Sequence, residues 1–211
     1  MSKLVFGVGV NDLGYRTQVY EWVTENGGRR VQKHVFVCKF YEAWKNMLMR
    51  CYGKKYLERN PSYNGTSVCS EWLSATAFKK WMEQQDWQGK SLDKDIIAPR
   101  SKLYSPETCA FVLATTNSSV IARDASRGDY PVGVSLYKRT GRYLATCNNL
   151  FTGKLEYLGL FSTPEEAHEA WRKRKHDLAQ RVAATESDLR VVEALKKRYS
   201  IEEWYKSITT T

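Results

Sequence analysis

Between Val132 and Phe161 the chain alternates apolar and polar residues in three short runs, each closed off by a glycine-bearing turn. Val132–Lys138 (VGVSLYK) opens on β-branched residues, and Thr140-Gly141 turns the chain. Arg142–Leu150 (RYLATCNNL) alternates again, Thr152-Gly153-Lys154 makes a second turn, and Leu155–Phe161 (LEYLGLF) follows. Three such runs read as an antiparallel meander. A helix start comes next. Ser162 or Thr163 can cap, Pro164 fits the first helical position, and Glu165-Glu166 suit the positive helix end. Ala167, Ala170, Trp171, Leu178 and Val182 then fall close to one face, with Arg172, Lys173, Lys175 and Asp177 expected on the opposite one.

One helix covers one face of a three-stranded sheet, so the other face is left to solvent. Successive side chains on a strand point to opposite faces. Val134 and Leu136 therefore share one face, and Ser135 and Tyr137 the other. Tyr143, Ala145 and Cys147 are expected to face the helix, and Arg142, Leu144, Thr146 and Asn148 to face outward. The open face then carries Tyr137, Arg142, Thr146 and Asn148, with Lys138, Arg139 and Lys154 at its turns. Cations, amides, hydroxyls and an aromatic together suit phosphate contact and base-edge reading. A sheet of this width enters a major groove much as a β-ribbon does. Arg142 is expected to touch DNA, whereas Arg172 to Lys175 are expected to be solvated.

Charge agrees with a polyanionic partner. The chain carries 33 basic and 23 acidic side chains, a net +10, and its pI is near 9.3; nucleic acid is the usual partner of such a field. Residues 1–120 hold 17 basic and 11 acidic groups, residues 121–183 hold 11 and 7, and residues 184–211 hold 5 and 5. The excess thus lies in the first two segments, and the tail is neutral. The polar stretch from Asn117 to Pro131 suits a linker. Three parts are expected: a domain over 1–120, a second over 121–183 and a helical tail over 184–211. No run of about 18 apolar residues is present, so no membrane span is expected. The first residues lack the apolar core of a secretory signal, and the expected location is the cytoplasm. Five dispersed cysteines without a CxxC pair argue against a disulfide framework. Buried free thiols are the expectation, and Cys38, Cys51, Cys69 and Cys109 are the alternative as a zinc set.

Pro131-Val-Gly-Val-Ser, Gly141-Arg-Tyr-Leu-Ala, Tyr157-Leu-Gly-Leu-Phe and Thr163-Pro-Glu-Glu-Ala occur in that order. They closely resemble the APETALA/ethylene-response-factor DNA-binding domain over about 55 residues. The resemblance implies a sheet in the major groove, with Ser135, Tyr137, Arg142, Leu144, Thr146 and Tyr157 approaching DNA. Ser135 stands where plant members carry arginine, so base specificity differs. Bacterial and phage members of that family are often joined to homing endonucleases.

The first part has helical spacing at Trp44, Leu48 and Cys51 within Phe40–Tyr52, and a second amphipathic helix over Ala75–Gln84. Val68–Trp72 reads as a short strand or turn. Trp44, Trp72, Trp81 and Trp87 are expected in the core. Met1–Val37 reads as a hairpin or small sheet extension about Asn26-Gly27-Gly28, and its GVGV is no phosphate loop because no GKS or GKT follows.

Trp44–Tyr52, Pro61–Tyr63, Val68–Phe78, Leu92–Asp95 (LDKD), Tyr104–Val112 and Asn117 together resemble phage and bacterial HNH-like proteins described as homing endonucleases. An HNH nuclease needs a histidine to activate water and Asp, Asn or His ligands for a divalent cation. Lys94 stands at the general-base position, between Asp93 and Asp95, and Asn117 at the late ligand position. Lysine is protonated near neutral pH and is a poor base. Two readings stay open. One is a degenerate nuclease scaffold that only binds double-stranded DNA, needing no cofactor. The other is an active enzyme with magnesium on Asp93 and Asp95, assisted by Lys94. A reading of a different class is a phage inhibitor that binds a host defence protein, in the host cytoplasm. In the tail, Ser187 is expected to cap a helix to Tyr199 with Leu189, Val192 and Leu195 on one side, and Ile201–Tyr205 to add a turn. That helix either packs on the preceding domain or joins a homodimer. The fold class is α+β: an HNH-like mixed domain, a three-stranded antiparallel sheet on one helix, and a helical tail.

Overall fold

A computed structural model describes residues 4–25, 27–120 and 129–200. The chain is α+β and forms two compact units that divide after Phe111. The linker expected over Asn117–Pro131 falls partly on residues 121–128, outside the described residues, as does the turn expected over Ile201–Tyr205.

The first unit opens with an antiparallel hairpin, β1 (Gln18–Thr24) and β2 (Arg30–Val37). Gly27 and Gly28 have φ of 99° and 79° in its turn, a region that glycine enters without steric cost. Helix α1 (Lys39–Tyr52) follows, then α2 (Lys54–Arg59), β3 (Ser67–Val68), a 3-10 turn over Ser70–Leu73 and α3 (Ala75–Met82). Short strands β4 (Ser91–Asp93), β5 (Leu103–Tyr104) and β6 (Ala110–Val112) complete it; β3 pairs parallel to β5, and β4 with β6. The core gathers Trp44, Met47 and Leu48 of α1 with Trp72, Phe78, Tyr104 and Cys109. Trp81 and Trp87 pack on it half-buried. The indole nitrogen of the buried Trp44 donates to the Trp72 carbonyl at 2.7 Å, which keeps its one polar atom paired. Gly9, from the GVGV segment, lies so close to α1 that a Cβ there would sit 2.3 Å from Leu48. Glycine is required there for packing.

The second unit contains α4 (Ala114–Val120), the antiparallel sheet β7 (Val134–Tyr137), β8 (Arg142–Asn149) and β9 (Lys154–Phe161), then α5 (Pro164–Ala183) and α6 (Leu189–Lys197). Thr163 caps α5 in a reciprocal box with Glu166, each side chain bonding the other's backbone. Helix α5 packs on β8, where Ala145 and Cys147 are buried, as are Ala167, Leu178 and Val182 of the helix. Gly133 approaches Trp171 of α5, whose ring lies 5.3 Å from His168.

Two expectations for this unit are corrected. Arg172 is buried, 5% exposed, where a solvated residue was expected. It forks onto Glu169 at 2.7 Å and donates to the Tyr199 carbonyl. The cause is α6, which packs along a second side of α5; His176 donates to the Arg198 carbonyl and Gln180 to the Lys196 carbonyl, each at 2.9 Å. Lys175 is drawn in as well, its ammonium 5.6 Å from the Tyr199 ring. Within α6, Asp188 rather than Ser187 is the cap, accepting from the Arg190 amide. Val191 and Leu195, one helical turn apart, are buried, and Leu189 is 76% exposed.

Candidate functional site

The register of the second unit's sheet decides what its open face presents. Across β7, β8 and β9 the outward rows are Tyr137 opposite Arg142, Ser135 opposite Leu144 opposite Leu160, Thr146 opposite Tyr157, and Asn148 opposite Leu155. Tyr157 is 67% exposed and Leu155 64%, so this side is uncovered within the unit. The Arg142 guanidinium is steadied by donating to the Leu160 carbonyl at 2.6 Å, which lays it across the rows. Lys138 and Arg139 stand exposed in the β7–β8 turn, and Lys154 is exposed at the start of β9. Cations rim the face, and hydroxyls, an amide, aromatics and leucines fill it.

The period-two reading placed Ser135, Tyr137, Arg142, Leu144, Thr146 and Asn148 on one side, and the structure brings them together there. It left Leu155 and Leu160 unassigned. That reading assigns no faces on the third strand; alternation from Tyr157 reaches Leu155 but not Leu160, because the pairing shifts between Ala145 and Thr146, so that Gly159 faces Ala145 while Tyr157 faces Thr146. A bulge inserts one residue and breaks simple alternation. Gly159, with φ of 136°, was the available signal, because a glycine inside a strand often marks a bulge.

The sheet's other side is held by charge. Arg174 of α5 grips Glu156 of β9 with bonds of 2.7 and 3.0 Å, and Asn149 of β8 donates to the same carboxylate at 2.7 Å. These hydrogen bonds, Arg174 first, pull the Glu156 carboxyl down to about 2. Glu156 thereby ties two strands to the helix beneath the open face.

In the first unit, Asp93 ends β4 and its Oδ1 accepts from the amides of Asp95 and Ile96, both at 2.9 Å. Burial pushes its carboxyl above the usual range against the pull of those amides. Lys94 is 7% exposed; its ammonium meets Asp95 Oδ1 at 2.5 Å and lies 5.9 Å from the Tyr104 ring. Arg50 of α1 donates to the Leu92 carbonyl at 3.3 Å. Burial pushes the Tyr63 and Tyr104 phenols up, and Arg50 beside them pulls the other way. Asn117 belongs to α4 in the second unit, apart in the chain from this cluster.

A magnesium ion would need free carboxylate oxygens converging on one point. Here one oxygen of Asp93 serves two backbone amides, and one oxygen of Asp95 serves Lys94. Among the described residues no three of His, Cys, Asp and Glu gather as a metal site. The Lys94 ammonium, held on Asp95, competes with a cation for that carboxylate. Among the described residues the four cysteines do not gather as a metal site either. Cys38, Cys51 and Cys109 are buried free thiols and Cys69 is half-buried. Burial pushes the Cys51 and Cys109 thiols up to about 12. A cavity of about 420 Å³ lies nearby, bounded by Arg50, Trp87, Lys90, Ser91 and Leu92 among others, but Asp93, Lys94 and Asp95 do not line it.

Among the described residues no helix is long and apolar enough to cross a membrane. No family model, curated protein or solved structure matches the chain, so its relationships rest on the residues themselves.

Proposed function

We propose that this protein binds double-stranded DNA through the open face of β7–β8–β9, laid into the major groove. The observation that carries this is the cation-rimmed face itself. Arg142, Thr146, Asn148 and Tyr157 share this face, with Lys138, Arg139 and Lys154 at the edges. Rim cations neutralise phosphates and set the register, while hydroxyls, amides and Arg142 meet base edges. The net charge of +10 supports the same reading. It agrees with the resemblance to APETALA/ethylene-response-factor domains, which extends to phage proteins of HNH-like type acting in the host cytoplasm. The first unit then serves as a degenerate nuclease scaffold. Lys94 occupies the position of the base and is engaged by Asp95, and Asp93 acts as a turn cap.

Fluorescence anisotropy of the full chain on short labelled duplexes tests the reading. Binding that weakens with salt is expected, and Arg142→Ala should cost about 1–3 kcal/mol if it reads a base. Unchanged affinity of that variant would remove the face assignment. Incubation with supercoiled DNA and magnesium or manganese should leave the DNA intact. Nicking abolished by Asp93→Ala would instead establish an active nuclease. Salt-insensitive association with a host protein, without DNA binding, would turn the reading to an inhibitor.

A further inference from the structure

The β1–β2 hairpin uses many large side chains and buries none of them. All fifteen residues of the two strands are exposed or half-exposed. Trp22 is 59% exposed, Phe36 50% and Tyr20 46%. A two-stranded ribbon is marginal in water unless something covers it, and surface aromatics clustered on one element mark a binding site. Its base is nevertheless anchored: the Cys38 amide donates to the Thr17 carbonyl at 2.8 Å, and Thr17 and Cys38 are buried.

The register sorts the side chains by face. One face carries Tyr20 opposite His34, Trp22 opposite Gln32, and Thr24 opposite Arg30. The rings of Tyr20 and His34 lie 4.2 Å apart, and the Arg30 guanidinium sits 5.6 Å from the centre of the Trp22 ring. The other face carries Glu21 opposite Lys33 and Val23 opposite Val31. Residues 15–38 hold four cations (Arg16, Arg29, Arg30 and Lys33) against Glu21 and Glu25, and Lys33 is partnered by Glu25 at 3.3 Å. Aromatic rings in line, a guanidinium over one of them and an excess of positive charge form a stacking platform. Paired bases hide their π-faces within the duplex. Unpaired bases offer them, and base–aromatic stacking tolerates any sequence.

We propose that the Tyr20–Trp22 face of the hairpin is a binding site for single-stranded nucleic acid, with bases stacking on Trp22 and Tyr20 and Arg30 and His34 meeting the backbone. This site is separate from the β7–β8–β9 face and does not depend on the duplex-binding reading.

The test is fluorescence anisotropy of the full chain with a labelled 20-nucleotide oligothymidine and with an abasic strand of equal length and charge. The wild-type protein should bind the thymidine strand at least about tenfold more tightly than the abasic one, since stacking needs bases. Trp22→Ala should lose about tenfold on the thymidine strand, and Tyr20→Ala a similar amount, with unchanged thermal melting because both rings lie at the surface. Arg142→Ala should leave this affinity unchanged while weakening duplex binding, which separates failure of either site from failure of the other. Equal binding of the two strands, or unchanged affinity in the Trp22→Ala/Tyr20→Ala double variant, overturns the proposal. So does a fall in sedimentation coefficient of the unliganded double variant, which would make the ribbon an interface between copies of this chain.

Discussion

At the scale of single residues, two glycines with similar backbone angles should behave very differently. Gly133 has φ of 82°, and a Cβ built on it would lie 2.1 Å from the Trp171 ring; Gly141 has φ of 69° with nothing within 4 Å. Alanine at 141 faces only the conformational penalty, about 1 kcal/mol. Alanine at 133 adds overpacking, worth about 1–3 kcal/mol more. The Trp171 ring has little room to yield, because Tyr199 meets it edge-on at 5.6 Å. Urea unfolding should therefore show Gly133→Ala losing clearly more stability than Gly141→Ala, and equal midpoints would mean that Trp171 swings away freely. The Gly133-Val134 pair was legible as a strand start with a glycine in it. The tryptophan that demands the glycine was not, since it lies 38 positions on in the chain, and no local pattern encodes that contact. Arg172 shows the same limit. Helical spacing put it on a polar face, and only the packing of a later helix made that face interior.

At the scale of elements, alternation, turns and the capping box made the three strands and α5 readable, because each is set by neighbours in sequence. The bulge at Gly159 escaped, because register is a relation between two strands. So did the link between β9 and α5 through Glu156 and Arg174, eighteen residues apart in the chain. That link has a pH signature. The Glu156 carboxyl is held at about 2 against an ordinary 4.5, with Arg174 as the leading cause. A carboxyl lowered by folding contributes stability that is fully present above its unfolded value and lost as pH falls toward its folded value. Its contribution should be complete above about pH 4.5 and decline toward pH 2. Urea midpoints measured at pH 6, 4 and 3 should fall less steeply in Glu156→Gln than in the wild type over this window. Parallel profiles would mean that other carboxylates govern the acid limb.

At the scale of the whole molecule, net charge overstates how much positive charge a polyanionic partner would meet. Arg172 is held by Glu169 and Arg174 by Glu156, Lys79 and Arg190 each lie beside a carboxylate at their own helix end, and Lys90 lies beside Asp86 in the loop after α3. The cations of the proposed duplex face are four: Lys138, Arg139, Arg142 and Lys154. Each phosphate neutralised on B-DNA contributes roughly −0.9 to the slope of log affinity against log salt, so the three rim cations predict a slope of about −3, with Arg142 assigned to a base edge. A partner bound by the full +10 would give a far steeper line. Changing Lys138 and Arg139 together to glutamine should flatten the slope by about 2 while leaving sequence preference unaltered, as expected of groups that touch phosphates alone. The matching control is Lys54→Gln with Lys55→Gln, two exposed cations of α2 in the first unit. If duplex binding belongs to the β7–β8–β9 face, this pair leaves the slope where it was. A slope that moves with α2 and not with the β7–β8 turn would place the duplex on the first unit, and the sheet face would need another ligand.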